Sequence, residues 1–169
     1  MKKFRKILLV FLSIALVFLV FMFWYQNEYA MDHAQEYEVN SPAENSRLLL
    51  ATQGSDFKNT ITAAIVDYYK TESVYIKVID ISALVGVNPN NYDALLIIHT
   101  WENWKPPSAV KAFMDRTKDY RDKTVVLTTS GEGSYKMEGV DAFTGESILD
   151  ETPNYVGQII NKLNPLLKL

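Results

Sequence analysis

The distribution of hydrophobic and polar positions divides the chain into one long apolar segment and a region of short alternating elements. Residues 7–25 are apolar except for Ser13. At about 1.5 Å of rise per residue, a helix of this length matches the roughly 30 Å hydrocarbon core of a bilayer. Trp24 and Tyr25, which favour the membrane–water interface, end the run. The pattern predicts one transmembrane helix over residues 1–26 that serves as an uncleaved signal anchor.

A cleaved signal peptide is the alternative for this segment. Its apolar core is usually shorter, about 7–15 residues, and a small-residue cleavage site follows it. The nearest small residue after the run is Ala30, which has no small residue two positions before it. The all-round hydrophobicity argues against the core helix of a soluble protein.

The charges around the apolar run predict the orientation of the chain in the membrane. Four basic residues and no acidic residue precede the run, namely Lys2, Lys3, Arg5 and Lys6. By the positive-inside rule, the N-terminus is then cytoplasmic and the rest of the chain lies on the outer side. That rest carries 13 basic and 20 acidic residues, a net charge of −7. This charge opposes non-specific binding to nucleic acid, and it serves either solubility or a partner with a basic patch.

After a polar linker predicted over residues 27–46, the pattern of residues 47–169 is that of one α/β domain. Short apolar runs alternate with segments whose apolar positions recur at helical spacing. This alternation predicts a parallel sheet with helices on both faces. The strands are predicted over residues 47–52, 74–79, 93–98 and 123–129, with a further short strand near Val140.

Three amphipathic helices are predicted around these strands. Their apolar positions are Phe57, Ile61, Ala64, Ile65 and Tyr68 in the first, Val110, Phe113 and Met114 in the second, and Val156, Ile159, Ile160 and Leu163 in the third. Thr152 is the predicted N-cap of the third helix, with Pro153 at its first position. In such a sheet, ligands bind beyond the carboxyl ends of the strands, where the winding reverses. Any chemistry is therefore expected in the loops 52–60, 99–107 and 128–139.

The first of these loops has the composition of an anion site. Gly54 and several hydroxyl side chains stand directly before a helix, whose N-terminal amides and dipole favour negative charge. Ser55 is a candidate N-cap, and Lys58 is placed to add a charge-assisted bond to a phosphate, whereas Asp56 would repel one. The alternative is an ordinary capped strand-to-helix turn.

The second and third loops offer aromatic and flexible groups. Trp101 and Trp104 lie in one loop, where they either stack on a planar ring or pack beneath the loop. The third loop combines glycines and hydroxyls with Tyr135, which suits closure over a ring. Ser130 has no evident base to make it a hydrolase nucleophile.

Several other classes of site are excluded or disfavoured by the composition. The absence of cysteine excludes disulfides, thiolate metal sites and thiol catalysis. The two histidines, His33 and His99, are far apart in sequence, and the carboxylates do not cluster at metal-ligand spacing. A first loop with one glycine lacks the dinucleotide-binding fingerprint. We therefore predict no metal and no nucleic acid partner.

From about Arg47 to the C-terminus, the residues resemble the flavodoxin-like superfamily. The stretch YDALLIIHTWENWKPP, residues 92–107, followed by VKAF, is similar to the family's third strand, aromatic loop, proline pair and helix. Residues 124–133, TVVLTTSGEG, are similar to the fourth strand and its loop. The resemblance implies an α/β fold, a flavodoxin-like doubly wound parallel sheet of four to five strands.

The resemblance also implies FMN as a noncovalent cofactor. Its phosphate is implied to lie on the first loop, at Thr52, Gly54, Ser55, Asn59 and Thr60. Its ring is implied to lie between the second and third loops, at Thr100, Trp101, Trp104, Ser130, Gly131 and Tyr135.

A second resemblance concerns residues 141–147, DAFTGES. They are similar to the motif by which extracytoplasmic proteins carry FMN covalently on the last hydroxyl, here Ser147. The alternative is a glycine turn before the last helix.

Two functions follow for the domain. The first is an FMN-binding electron carrier or oxidoreductase near the membrane, with a redox protein as partner, in which the protein holds the ring and the cofactor supplies the chemistry. The second is a flavin-free module that binds a protein partner or another small ligand at the membrane surface, since a fold does not fix a function.

Overall fold

The structure is a computed structural model that describes residues 2–28 and 31–169. Met1, Tyr29 and Ala30 lie outside the described residues, and with them the first residue of the predicted span, part of the predicted linker and the cleavage position considered at Ala30. The chain forms two compact units that meet at residues 31 and 32.

The first unit is the helix α1, Lys2–Glu28. Its run of Leu, Ile, Val, Phe and Met contains no glycine or proline, so nothing in it breaks a helix. The hydroxyl of Ser13, the polar residue within the run, donates to the carbonyl of Leu9 at 2.9 Å. The segment Lys3–Tyr25 is long and apolar enough to cross a membrane, with a mean hydropathy of 3.0. A cleaved signal sequence passes the same test of length and composition.

The second unit is a flavodoxin-like α/β domain. Its strands are β1 Tyr37–Val39, β2 Ser46–Thr52, β3 Val74–Asp80, β4 Ala94–Thr100, β5 Thr124–Thr129 and β6 Ala142–Gly145. They form one sheet in the order β1-β3-β2-β4-β5-β6, in which β1 pairs antiparallel to β3 and all other pairs are parallel. Without β1, the five parallel strands have the order 2-1-3-4-5, which is the flavodoxin order.

The helices of the domain are α2 Asp56–Tyr69, α3 Ser108–Arg116 and α4 Thr152–Leu167. One core packs α2 and α4 against the sheet, and a second core packs α3 and the 3₁₀ helix Ile81–Gly86 against its opposite face. Along β2, Leu48 and Leu50 point into the first core and Leu49 and Ala51 into the second. A strand buried on both faces must be apolar at every position, which is why the predicted strands appear as continuous apolar runs.

One part of the predicted linker is a strand. Tyr37–Val39 pairs with β3 at the edge of the sheet, and a run of only three residues, YEV, is too short to give a hydrophobic signal. The compact unit begins at Asp32 rather than near residue 47. Residues 32–36, which we call the strap, therefore belong to the domain.

Two smaller predictions about the helices are wrong. Tyr69 is fully buried and donates to Asn164 Oδ1 at 2.7 Å, whereas Tyr68, predicted on the apolar face, is 46% exposed. The buried ridge of α2 continues by steps of four residues, so it reaches position 69. Thr152 is the first residue of α4 and Glu151 its N-cap, because a preceding 3₁₀ turn already makes the chain helical there.

Candidate functional site

The first loop is very short. β2 ends at Thr52 and α2 begins at Asp56, which leaves three residues between strand and helix. Ser55 has an extended backbone and its Oγ accepts from the Lys58 amide at 3.3 Å. The predicted N-cap at Ser55 is thus formed, and the loop has the form of a capped strand-to-helix turn.

The strap covers this loop and contacts it at Gly54. The Gly54 amide donates to the Asp32 carbonyl at 2.7 Å. A Cβ at Gly54 would lie 2.9 Å from atoms of Asp32 and from the His33 carbonyl oxygen, so only glycine allows the strap to approach so closely. In the sequence prediction this amide belongs to the phosphate site, but the chain's own carbonyl is its acceptor.

Asp80, at the end of β3, holds the strap in place. Its Oδ2 accepts from the Ala34 amide at 2.9 Å, and its Oδ1 lies 3.3 Å from His33 Nδ1. Its own amide donates to Glu36 Oε1 at 3.2 Å. Burial opposes ionisation of the carboxyl, but hydrogen bonds from Ser82, Ala34 and His33 outweigh it, so the pKa of Asp80 is lowered. Nothing in the sequence marks Asp80 as this anchor.

Gln53 joins the first loop directly to the second. Its Oε1 accepts from the Thr100 amide at 2.8 Å, and its Nε2 donates to Glu102 Oε1 at 2.9 Å. The side chain is only 7% exposed. Gln53 therefore occupies the space between the predicted phosphate and ring positions, a role that the sequence analysis missed because glutamine carries no pattern of its own.

Lys58 points into the protein. It is fully buried, and its Nζ lies 3.3 Å from Ser55 Oγ. Burial lowers the pKa of Lys58 to about 8, while the negative charge of Glu102 acts in the opposite direction. Its ammonium group is thus held behind the loop and does not extend from it toward a ligand.

Four of the five residues predicted to hold the phosphate line one cavity, and Thr60 does not. The Thr60 hydroxyl donates back to the Asp56 carbonyl at 2.7 Å, and that of Thr52 to the Gln53 carbonyl at 3.2 Å. Asn59 is exposed and lines a cavity of about 430 Å³ between the loop and the strap, which we call the first-loop cavity. Its walls also include Thr52, Gly54, Ser55, Asp32 and Asp56. Its two carboxylates oppose binding of a phosphate.

The predicted ring residues do converge. A cavity of about 270 Å³, which we call the aromatic cleft, lies between the second and third loops. Its lining consists of Trp101, Asn103, Trp104, Ser130, Gly131, Glu132 and Tyr135. The rings of Trp101 and Tyr135 are stacked, with centroids 5.8 Å apart. Thr100, also predicted here, lies behind the cleft, where its hydroxyl and that of Thr129 are hydrogen-bonded at 2.9 Å.

Trp104 stands in the cleft in an unusual backbone conformation. Glu102 and Lys105 exchange two backbone hydrogen bonds of 2.9 and 3.0 Å around a tight turn. Both central residues, Asn103 and Trp104, have positive φ, at 49° and 57°. Asparagine tolerates this region, but a large side chain rarely adopts it. The Trp104 side chain is 85% exposed, so packing does not explain the strain.

Ser130 supplies a polar group to the same cleft. The residue is 94% buried, and its Oγ has no hydrogen-bond partner in the part of the chain that the structure describes. A buried hydroxyl without a partner costs free energy, so it suits a ligand atom that completes the bond. Its amide donates to the Gly145 carbonyl at 3.0 Å, which fixes the start of the third loop against β6.

His99 lies beneath the loops and makes its hydrogen bonds within the interior of the domain. It is fully buried, its Nδ1 lies 3.4 Å from the Thr100 carbonyl, and its Nε2 lies 3.0 Å from the Thr128 hydroxyl. Because the carbonyl can only accept, Nδ1 carries the proton and Thr128 donates to Nε2. Burial and, to a smaller extent, the positive charge of Lys58 lower the pKa of His99 to about 4, against the opposing effect of the Thr100 hydrogen bond. The ring is neutral at physiological pH.

These contacts allow FMN to be tested against the residues present. The aromatic cleft fits a planar ring, since it offers indole faces and an unpartnered hydroxyl. The first loop does not fit the phosphate, since the Gly54 amide is engaged and carboxylates line the cavity. The two cavities share no lining residue. FMN held in the flavodoxin manner therefore does not fit the domain with the strap in this position.

The structure also shows the positions of Ser147 and of the glycine in the DAFTGES stretch. Ser147 is exposed, two residues after the end of β6. Gly145 is close to Tyr155, whose hydroxyl would lie 1.6 Å from a Cβ, so the glycine of the DAFTGES stretch is required for packing. Over the described residues, no group of three or more His, Cys, Asp or Glu side chains is arranged to hold a metal ion.

No family model matches the chain, and no curated protein matches it. Among solved structures, the chain is similar to a flavodoxin from the domain Archaea, at 12% identity over 71% of this chain and 98% of that chain, with a TM-score of 0.48. It is also similar to an NADPH-quinone reductase from P. pentosaceus, at 15% identity over 69% of this chain and 77% of that one, with a TM-score of 0.34. The strand order, rather than these two similarities, identifies the fold as flavodoxin-like.

Proposed function

We propose that the domain is a flavin-free binding module, tethered by α1, that takes an uncharged planar aromatic group into the aromatic cleft. The group belongs to a small ligand or to a side chain of a partner protein. The observation that carries the proposal is the contrast between the two halves of the predicted FMN site. The ring half is an open cleft with aromatic walls, whereas in the phosphate half the strap engages the Gly54 amide and carboxylates line the cavity.

Three features of the cleft support binding of an aromatic ring. Trp104 is exposed and held in a strained conformation, and strain of this kind concentrates at functional sites. Ser130 offers a buried hydroxyl that lacks a partner among the described residues. The stacked pair Trp101 and Tyr135 adds an aromatic surface to the lining of the cleft.

FMN-dependent electron transfer is the second candidate function. It is favoured by the flavodoxin strand order and by the aromatic lining of the cleft, which suits the flavin ring. In this case the strap would have to leave the Gly54 amide before the phosphate could bind there. The cofactor would supply the redox chemistry, and the residues of the cleft would hold its ring.

Riboflavin, which has the flavin ring without a phosphate, tests the proposed cleft. We expect it to quench the tryptophan fluorescence of the full chain in detergent in a saturable way. Replacing Trp104 with Ala should weaken binding by about 3- to 10-fold, since aromatic stacking contributes roughly 0.5–1.5 kcal/mol beyond buried area. Loss of the Ser130 hydroxyl in Ser130→Ala should weaken binding by a similar factor.

The matched control is Trp24→Phe, because Trp24 lies in α1, outside the domain. It should leave the affinity for riboflavin unchanged. Equal affinity in wild type and Trp104→Ala would place any binding elsewhere and overturn the proposal.

A further inference from the structure

The first loop contains a serine and a lysine that are paired. Ser55 is the N-cap of α2 and lines the first-loop cavity, and Lys58 follows three residues later. Side chains at this spacing lie on one face of a helix. Lys58 Nζ is 3.3 Å from Ser55 Oγ and is fully buried behind it. Ser55 thus borders the cavity, and the buried amine of Lys58 contacts its hydroxyl.

We propose that Ser55 is a nucleophile and Lys58 its general base, in an acyl-transfer site that occupies the first-loop cavity. A nucleophile within hydrogen-bond reach of a base is the arrangement that acyl transfer requires, and lysine serves as the base in some serine enzymes. This site is separate from the aromatic cleft, with which it shares no lining residue, and it does not depend on the function proposed there.

The reaction needs no group that the chain lacks. Neutral Lys58 Nζ takes the hydroxyl proton as Ser55 Oγ forms a bond to the carbonyl carbon of an ester or thioester. The bond from that carbon to the leaving group then breaks, and Nζ returns the proton to the leaving oxygen or sulfur. Water, with Nζ again taking its proton, attacks the acyl-serine, releases the carboxylic acid and restores the Ser55 hydroxyl.

The start of α2 favours negative charge on the serine oxygen. The Lys58 amide already donates to Ser55 Oγ at 3.3 Å. The first amides of a helix have no partners within it, and its dipole is positive at this end. Both effects favour loss of the hydroxyl proton and so activate Ser55 Oγ for attack, in the way that helix N-termini activate cysteine thiols.

The charges facing Lys58 determine when it can act as a base. Burial lowers its pKa to about 8, with Glu102 on the second loop opposing the shift. His99 on β4 is neutral at this pH, since its pKa lies at about 4. The fraction of neutral lysine therefore grows as pH rises through about 8, and acylation of Ser55 should accelerate over the same interval.

The walls of the cavity indicate the class of substrate. Asp32 and Asp56 give it negative charge, and Asn59 and the backbone of the strap add polar groups. The volume of about 430 Å³ suits a small acyl group. We infer a substrate that is an uncharged or cationic ester or thioester, rather than an anionic one.

A fluorescent fluorophosphonate applied to the full chain in detergent tests this inference. Labelling forms a bond from Ser55 Oγ to phosphorus, expels fluoride and leaves the proton on Lys58. Mass spectrometry of wild type should locate the label on Ser55, with a rate that rises through about pH 8. The rate should fall at least about 100-fold in Lys58→Met, since general-base catalysis commonly contributes 10²–10⁴-fold.

Ser55→Ala should not be labelled, and Ser73→Ala is the matched control. Ser73 is exposed and precedes β3, at the opposite edge of the sheet, so its loss should change nothing. Circular dichroism verifies that each variant is folded, and the wild-type mapping and pH profile need no variant. A label on another residue, no label, or a rate that does not change between pH 6 and 9 would overturn the proposal.

Discussion

Trp104 combines exposure with an unfavourable backbone conformation, and this makes it the residue of the cleft whose role is easiest to separate from stability. A residue other than glycine in the left-handed region costs roughly 1–2 kcal/mol. Its side chain is 85% exposed at a φ of 57°, so little packing offsets that cost. This free-energy cost indicates that Trp104 serves binding rather than folding.

Replacing Trp104 with Gly should therefore stabilise the domain while it weakens ligand binding. We expect the free energy of unfolding to rise by about 1 kcal/mol, because glycine adopts positive φ without cost. Chemical denaturation measures the first effect and riboflavin titration the second. Asn103→Gly is the control, and should stabilise less, since asparagine tolerates this region. A destabilised Trp104→Gly variant would show that the indole packs within the turn.

His99 should make the stability of the domain depend on pH between about 4 and 6.5. Its pKa is about 4 in the folded chain and about 6.5 in an unfolded one. As pH falls through this window the unfolded chain takes up a proton that the folded chain does not, so the free energy of unfolding falls. The full loss is roughly 3 kcal/mol, at about 1.4 kcal/mol per pKa unit.

Urea titrations at several pH values, followed by fluorescence, measure this dependence. His99→Gln removes the titrating group and should flatten the curve between pH 4.5 and 6.5, although it also loses the bond to Thr128. A wild-type stability that does not change over this interval would mean that the imidazole has the same pKa in the fold as in the unfolded chain, against its burial.

At the scale of elements, the strap decides what the first loop can bind. It is attached through the Gly54 amide, through Asp80 and through the short strand β1. Together these contacts turn a flavodoxin-like first loop into a covered one. The closure depends on a glycine, because any side chain at position 54 would overlap the strap backbone.

Gly54→Ala should loosen the strap. Its Cβ would lie 2.9 Å from two backbone oxygens, and overpacking of this kind typically costs about 1–3 kcal/mol. The Ala34 amide donates a hydrogen bond to Asp80, and its hydrogen exchange should become faster when the strap is loosened. Gly86→Ala is the matched control, since nothing lies within 4 Å of its Cβ position, and it should have little effect. Unchanged protection of Ala34 in the Gly54 variant would show that the strap adapts.

The sequence predicts the strands whose side chains are buried, and it misses the segments that are held mainly by hydrogen bonds to other parts of the domain. The strands β2 to β5 are largely buried and mostly apolar, so their hydrophobicity locates them. The strand β1 is only three residues long and the strap is largely polar, and their positions come from hydrogen bonds to β3 and Gly54 that no local pattern encodes.

The same distinction holds for the candidate site. The aromatic cleft could be anticipated because the carboxyl ends of neighbouring parallel strands lead into loops at one edge of the sheet. The filling of the space between the loops by Gln53 could not, since it depends on the length of the first loop and on which amide its side chain reaches. The short first loop, with three residues between β2 and α2, is the feature that would have indicated that the loop is covered.

At the scale of the whole molecule, α1 and the basic residues at its N-terminal end predict a domain held outside the cytoplasm. Lys3, Arg5 and Lys6 lie at the N-terminal end of the helix, which favours a cytoplasmic N-terminus. A reporter that is active only outside the cytoplasm, fused after Leu169, should therefore be active. Replacing the basic residues before the span with Glu should reduce this activity. Activity of a strictly cytoplasmic reporter at the same position would contradict the proposed topology.

The central claim is that the domain can receive an aromatic ring but offers no favourable contacts to the phosphate of FMN. The most direct measurement is the ratio of the dissociation constants of riboflavin and FMN for the full chain, determined by titration calorimetry under identical conditions. With the Gly54 amide engaged and carboxylates on the cavity wall, the phosphate gains nothing, and the ratio should lie near one. One charge-assisted hydrogen bond to phosphate contributes roughly 1.5–3 kcal/mol. Binding of FMN more than about tenfold tighter than riboflavin would therefore contradict the account.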